Sequence, residues 1–497
     1  MCEYWIDPEK RNSDDNMLFE GEFVVNHTDF LLAVNTWAAK ICDLIPGKSN
    51  RIGIYMQNSI DYVIAYYSVL LSNNIVVPIS SKVTSHEIEF ILSHLSIGIL
   101  ITNQENYEKI KTILRASINT VDVRIIIQKG FCREEILLAL CERGRTPNDI
   151  ALILHTSGSL SRPKSVMLTQ KNLLSCARAI IQDLCIAKED KTLVWLPVHY
   201  ASANTSQLIT HVLIGAKLVF TNLFFTAENF FSLIERYCIT NTTLTPTLLL
   251  RLLGQSHLLE KYSISSLRYL CYGGASSPQE KISCLIEEYP SIQFVHMYGQ
   301  IEAATRISHY FEPSHQRKLG CVGKPIPGTT CWIETESGEV VKPNEHGEVV
   351  VAGEHIMQGY CNRPEETRNA VVRGCLHTGD IGYMDNDGDL FIVGRKKNII
   401  IKGGGNIHPE EIEEVLLSLD AVEDAVVVGE ADEQWGEVPV AFIAKKGDSS
   451  LCEKQVFEFC VRMLSPYKVP KTIRFIDEIA RTPNGKLARA LPKTKDG

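Results

Sequence analysis

An apolar run ending at Leu154 passes into a short hydroxyl- and glycine-containing loop, Thr156-Ser157-Gly158-Ser159, and Lys164 follows. Such a loop offers backbone N–H groups, small hydroxyl donors and one cation, the parts needed to hold a polyphosphate. The spacing is not G-x-x-x-x-G-K-[ST], so a Walker A architecture is excluded. Read alone, a Ser/Gly/Pro cluster is equally an ordinary surface turn.

Further along, Gly273-Gly274-Ala275, Tyr298-Gly299-Gln300-Ile301-Glu302, Thr378-Gly379-Asp380, Gly394-Arg395-Lys396-Lys397 and Asn484-Gly485-Lys486 follow in order. Each has a plain alternative: a turn, a helix cap, a core aromatic or a solvated lysine. Taken together and in this order, they resemble the adenylate-forming superfamily of acyl-CoA synthetases, peptide-synthetase adenylation domains and luciferase-like enzymes. The resemblance runs from about residue 30 to about residue 491.

The resemblance implies ATP, Mg²⁺ and a carboxylic acid as reactants, with a thiol from coenzyme A or a phosphopantetheine arm as acceptor. Thr156, Ser157, Gly158 and Ser159 would cradle the β- and γ-phosphates, helped by Lys164. Gly273, Gly274 and Ala275 would line the adenine, with Tyr298, Gly299 and Gln300 beside it. Glu302 would hold the metal, Asp380 the ribose hydroxyls, and Arg395 the ribose or phosphate. Lys486 would stabilise the transition state at the α-phosphate. Lys397 matches the family hinge, and Gly403, Gly404 and Gly405 would flank a tunnel for the thiol. Tyr200, Asn204, Thr245, Cys271, Ala275, Met297 and Ala303 are the expected acid pocket, a small and mostly apolar set. The absence of Asp from residues 197–206 disfavours a standard α-amino acid.

Three departures stand out. Leu160 and Ser161 replace the usual Thr-Gly pair, and Ser165 replaces the glycine after Lys164; where the family needs positive φ, these serines would be strained. Ile301 replaces a hydrogen-bonding threonine. Tyr200 takes the usual His column, with His199 before it. The alternatives are an enzyme that loads only a separate carrier protein, and a degenerate nucleotide-binding protein.

These residues need a frame. Strand-like segments at 51–56, 75–79, 98–102 and 123–128 alternate with helix-like ones, notably 60–72, which predicts an α/β fold with parallel strands. Residues 217–221 and 291–296 read as further strands. Residues 328–351 read as a β-rich subdomain. Past Arg395 a small α+β unit is expected, with helices over 409–419 and 451–464 and strands over 425–429, 438–445 and 472–476. With the hinge placed by the resemblance at Lys397, the division it implies is 1–396, a large N-terminal ATP- and acid-binding domain of stacked α/β subdomains, and 397–497, a small mobile C-terminal domain. Asp385-Asn386-Asp387-Gly388-Asp389 reads as a hairpin turn rather than a calcium loop, since position 12 is Lys396.

The bulk numbers fit this frame. A chain of 497 residues exceeds one ordinary core. A net charge of −9 argues against a general polyanion-binding surface, and so against nucleic acid. No apolar run reaches the ~20 residues of a membrane span, and no secretory signal is visible. The 15 cysteines form no C-x-x-C pair, which with the missing signal gives a cytoplasmic, mostly reduced protein as the expectation. His199, His309 and His315 form no close metal-ligand set.

Overall fold

The computed structural model describes residues 15–45, 47–83, 85–117, 124–127, 146–156, 164–275, 278–312, 318–403, 405–447, 449–480 and Arg489. Ser157, Gly158, Ser159, Gly404 and Lys486 lie outside the described residues, as do Leu160, Ser161 and His315.

A large mixed α/β domain precedes a small C-terminal one. One sheet has seven strands. Its parallel part is formed by Arg51–Tyr55, Ile75–Pro78, Ile99–Thr102, Arg124–Ile127 and Ile150–His155; Ser165–Thr169 and Gly359–Tyr360 close one edge antiparallel. A fourteen-stranded sheet holds a parallel run through Lys191–Val194, Asn241–Leu244, Tyr269–Gly273 and Gln293–Tyr298. The helices Ile60–Leu71 and Gln170–Asp183 share one apolar core with residues of both sheets. Ten of the twelve residues in Ile60–Leu71 are buried, as an all-round apolar helix between two layers requires. Ser59 caps its N-terminus, and Thr169 with Asn172 forms a capping box on the second helix.

Alternation sorts the central strands. Tyr269, Cys271, Val295 and Met297 face the core shared by the two sheets, while Leu270, Tyr272 and Phe294 face a second core under Ala227–Tyr237 and Gln279–Glu288. The β-rich segment is not a separate sheet: Cys321–Pro325 pairs with Ser308–Phe311 on one side and Leu390–Arg395 on the other, so the ladder is continuous.

The C-terminal unit packs the helices Pro409–Leu417 and Glu453–Met463 on a five-stranded sheet. Pro409 opens the first of these, with Glu410 and Glu411 in its first turn, where the helix dipole favours acids. The Asp385–Asp389 turn closes on itself through Gly388 N–H to Asp385 O at 3.1 Å. The Lys318 amine lies 2.7, 2.8 and 2.5 Å from the carboxylates of Asp385, Asp387 and Asp389, where a cation would otherwise sit. Among the described residues eleven cysteines are free thiols, and Cys42 is disulfide-bonded. No helix among them is long and apolar enough to cross a membrane.

Candidate active site

The hairpin Ile150–His155 and Ser165–Thr169 presents the phosphate-type loop. Its two ends are tied by Thr156 N–H donating to Lys164 O at 2.9 Å. Ser165 is in the strand, buried, with its hydroxyl 3.2 Å from His155 Nδ1. It is not among the positive-φ residues, so the strain expected there does not arise: strand pairing, not a glycine turn, sets its backbone. Lys164 pairs with Glu366 at 2.7 Å and stands 4.6 Å from the centre of the Tyr360 ring. The Lys164 amine is the main reason that the Glu366 carboxyl is held below its ordinary range.

Tyr360 links this corner to Glu302. Its hydroxyl donates to Glu302 Oε1 at 2.8 Å. That leaves the second carboxylate oxygen of Glu302 as the hard ligand atom. One protein carboxylate suits Mg²⁺, which keeps most of its ligands as water and phosphate oxygen. Burial, then the Glu302 charge, raises the Tyr360 phenol well above its usual range, so it stays a donor.

Asp380 is the centre of the cluster. It is 3 % exposed, accepts a hydrogen bond from the Tyr298 hydroxyl at 2.7 Å, and forms an ion pair with Arg395 Nε. Arg395 faces Asp380 across the ladder of Cys375–Met384 and Leu390–Arg395, so sheet register brings the two together. Burial opposes the Arg395 charge, and Asp380, Tyr298, Glu302 and Glu410 together outweigh it, holding the guanidinium above its ordinary value. The Tyr298 phenol is raised well above its usual range by burial and then by Asp380. Gln300 reaches Thr378 O at 3.5 Å.

Two glycines have steric causes. A Cβ at Gly273 would stand 2.3 Å from Met297 O, and one at Gly299 would stand 2.0 Å from Thr305 O. Gly299 is therefore required by the chain doubling back after Tyr298. Gly274 and Ala275 continue from Gly273 at the strand end, and a Cβ on Gly274 would meet nothing within 4 Å, which leaves that flank open.

The residues expected to line the acid pocket divide. Cys271, Met297 and Ala303 lie in the core shared by the two sheets, with Tyr200 packed against it. Tyr200 meets the His199 ring edge-on at 4.7 Å. Burial, helped by the Lys82 charge, lowers His199 to about 4. Asn204 is fully buried, accepts from Tyr66 OH at 2.9 Å and donates to Val198 O at 3.2 Å, so its amide is already engaged within the core. The Thr245 hydroxyl accepts from Leu248 N–H at 3.4 Å, capping a short helix. Ile301 packs its side chain against the shared core.

Lys397 sits in the tight turn Lys396–Asn398 between the two domains' strands. Burial lowers its amine, and the Arg395 and Lys164 charges add to that. Gly403 donates its N–H to Trp435 O at 2.8 Å, and a Cβ there would stand 2.9 Å from the indole. Gly405 opens the strand Gly405–Ile407. Near the tail, Arg489 makes a two-pronged pair with Glu413, both contacts 2.7 Å, and reaches Glu410 at 3.0 Å. Glu410 also accepts from Asn398, next to Lys397, at 2.9 Å.

Sequence reasoning missed Tyr360, Glu366 and Arg489. Gly359-Tyr360 before an acidic helix start has no distinctive spacing; for Arg489, the signal was a basic residue three places after Lys486.

Comparison with known proteins gives the family. The model for AMP-binding enzymes matches residues 9–361, and that for the AMP-binding enzyme C-terminal domain matches residues 411–486. A 2-succinylbenzoate–CoA ligase of Bacillus mycoides (strain KBAB4) is 30% identical over 444 residues, 89% of this chain and 88% of its own length. A long-chain-fatty-acid–CoA ligase of Bacillus subtilis (strain 168) is 31% identical over 480 residues, 89% of this chain and 85% of its own. The solved o-succinylbenzoate CoA synthetase of Bacillus subtilis, in complex with the acyl-adenylate intermediate OSB-AMP, superposes with a TM-score of 0.86 at 27% identity, covering 98% of this chain and 97% of that one. With the two family models matched in order over residues 9–361 and 411–486, the chain belongs to the AMP-binding enzymes and is an ATP-dependent, AMP-forming acid–thiol ligase.

Proposed function

We propose that this chain activates a small or medium carboxylic acid and passes the acyl group to coenzyme A. The observation that carries the residue roles is the buried Asp380 carboxylate, gripped by Tyr298 and Arg395 at the strand ends beside Glu302, Tyr360 and Lys164. A buried anion aimed by two donors is a ready acceptor for paired sugar hydroxyls.

In the first step a carboxylate oxygen attacks the α-phosphorus of ATP. The bond from that phosphorus to the bridging oxygen breaks, and pyrophosphate leaves. Thr156, Lys164 and the loop between them bear the β- and γ-phosphates. Lys486 neutralises charge on the α-phosphate as it builds. Mg²⁺, held through Glu302, would supply further charge neutralisation at the phosphates. In the second step a thiolate attacks the acyl carbon, the bond from carbon to the phosphate oxygen breaks, and AMP leaves. Domain 397–497 turns about Lys397 between the steps, withdrawing Lys486 and bringing Gly403, Gly404 and Gly405 to the thiol's path.

The relatives named as CoA ligases support coenzyme A as the acceptor. The test is thioester formation from one accepted acid, offered either coenzyme A or a phosphopantetheinylated carrier protein. Acyl-CoA is the expected product. Turnover with the carrier alone would replace coenzyme A by a separate protein partner.

A further inference from the structure

Arg306 is 1 % exposed, the bulkiest of the fully buried side chains. It projects from the turn that follows Glu302 into the core shared by the two sheets, where Cys271, Met297 and Ala303 also lie. Its Nη2 contacts Ser206 Oγ at 3.2 Å and the Met297 sulfur. Its Nη1 lies 3.1 Å from His309 Nδ1. A guanidinium keeps its charge at any working pH, yet among the described residues none of its contacts is a carboxylate.

The nearest acid is one side chain removed. His309 Nε2 lies 2.5 Å from Asp183 Oδ2, a close contact not aligned as a hydrogen bond. A guanidinium nitrogen can only donate, so His309 Nδ1 accepts from Arg306 and the ring proton sits on Nε2, toward Asp183; burial likewise holds His309 below its ordinary pKa. Two thiols close by give no negative charge: burial pushes Cys176 up to about 12 and Cys271 to about 11. On the same face the Tyr269 hydroxyl is buried with no hydrogen-bond partner, within electrostatic reach of Arg306. A buried cation short of an adjacent anion and a hydroxyl short of an acceptor are both costly to keep.

We infer that Arg306, with Ser206 and the Tyr269 hydroxyl, forms the far end of the acid pocket and recognises a second anionic group on the substrate, making the substrate class an acid that carries two carboxylates or a comparable anion. This rests on the assignment of Cys271, Met297 and Ala303 to the acid pocket. It departs from the plain apolar pocket that those residue types imply by themselves. A site built around a buried charge rejects the uncharged analogue strongly, because the charge is then left unpaired.

The experiment is acid-dependent ATP–pyrophosphate exchange over matched pairs of acids: linear and aryl diacids against the monoacids or half-amides of equal length. The wild-type enzyme is expected to favour the diacid of its best pair by about 100-fold or more in kcat/KM. In Arg306→Met that ratio should fall to near one, and Arg306→Lys should recover part of it. Calorimetric titration of the same acids onto the nucleotide-free enzyme is run alongside. If no acid supports exchange, the activation reading fails, and the titration alone decides the recognition: diacid binding lost in Arg306→Met upholds it, and absence of diacid binding by the wild type overturns it. Equal use of monoacid and diacid by the wild type overturns the inference. So does an Arg306→Met variant that loses all acids in proportion, since that is the behaviour of a purely structural arginine.

Discussion

A buried carboxylate with two charged or polar donors on it is poised, and Asp380 is in that position before any sugar arrives. Changing Asp380 to Asn removes the charge while keeping the shape. The KM for ATP should rise about 10- to 100-fold, the size of a lost hydrogen-bond set on an ionised group; an unchanged KM would take the ribose role away from Asp380. Asp380, Tyr298 and Arg395 were legible because the motifs that contain them come in a fixed order. Tyr360 and Glu366 were not, because a tyrosine reaching Glu302 across 58 residues leaves no local pattern. Ser165 shows the opposite error. Compared with a glycine-bearing motif it looked strained, but its strand partner His155 sets its backbone and the residue is comfortable there. For Asn204 the residue type suits a pocket, and only the fold reveals that Tyr66 and Val198 also use its amide.

Among the elements, the helix Pro409–Leu417 ties the tail to the hinge. Glu413 on that helix is 2 % exposed and also accepts Val427 N–H at 2.7 Å. Burial pushes its carboxyl up to about 7 while Arg489 pulls the other way. Above that value a charged pair sits in the core of the small domain. Arg489→Met would leave Glu413 unpaired and should cost about 3–5 kcal/mol, the usual penalty for breaking a buried pair. Hydrogen exchange over residues 409–476 should show the loss of protection, and the double variant Glu413→Gln, Arg489→Met should regain part of it. Protection unchanged in the single variant would mean that the pair carries no weight. The helix itself was readable from Pro409 and its acids. Most strand ends came out within two residues, and the strand expected over 425–429 runs three residues further at each end, over Val422–Asp432. The six residues Asn204–Ile209, wound as a π-helix, were not readable at all, since that slip is imposed by packing rather than by composition. The β-rich stretch was recognised by its turns, but its continuity with the large sheet depends on a ladder between distant segments.

For the whole molecule, buried neutral histidines set an acid limit. His211 is 1 % exposed; its Nδ1 lies 2.9 Å from Gln207 O and its Nε2 3.2 Å from Asn241 Nδ2, the pattern of a neutral ring that donates once and accepts once. Burial lowers it to about 4 from an ordinary 6.5. The folded value is the lower one, so the stabilisation is complete above pH 6.5 and is lost as pH falls toward 4. The drop of 2.5 units corresponds to about 3 kcal/mol from this one group. Urea midpoints measured from pH 7 to pH 4 should fall, and His211→Gln should flatten that fall; parallel curves would contradict the assignment. The two-lobe architecture was legible from the alternation of segments and the change of texture past Arg395. The packing of two sheets about the shared helices was not, because it joins residues hundreds of positions apart.

In the proposed mechanism the tail lysine completes the first step and not the second. Rapid-quench single turnovers can follow the two separately: pyrophosphate release from ATP and acid, then AMP release when pre-formed acyl-adenylate meets the thiol. In Lys486→Ala pyrophosphate release should fall by at least about 100-fold, with transfer from supplied acyl-adenylate close to the wild-type rate. Pyrophosphate released at the wild-type rate by that variant would contradict it.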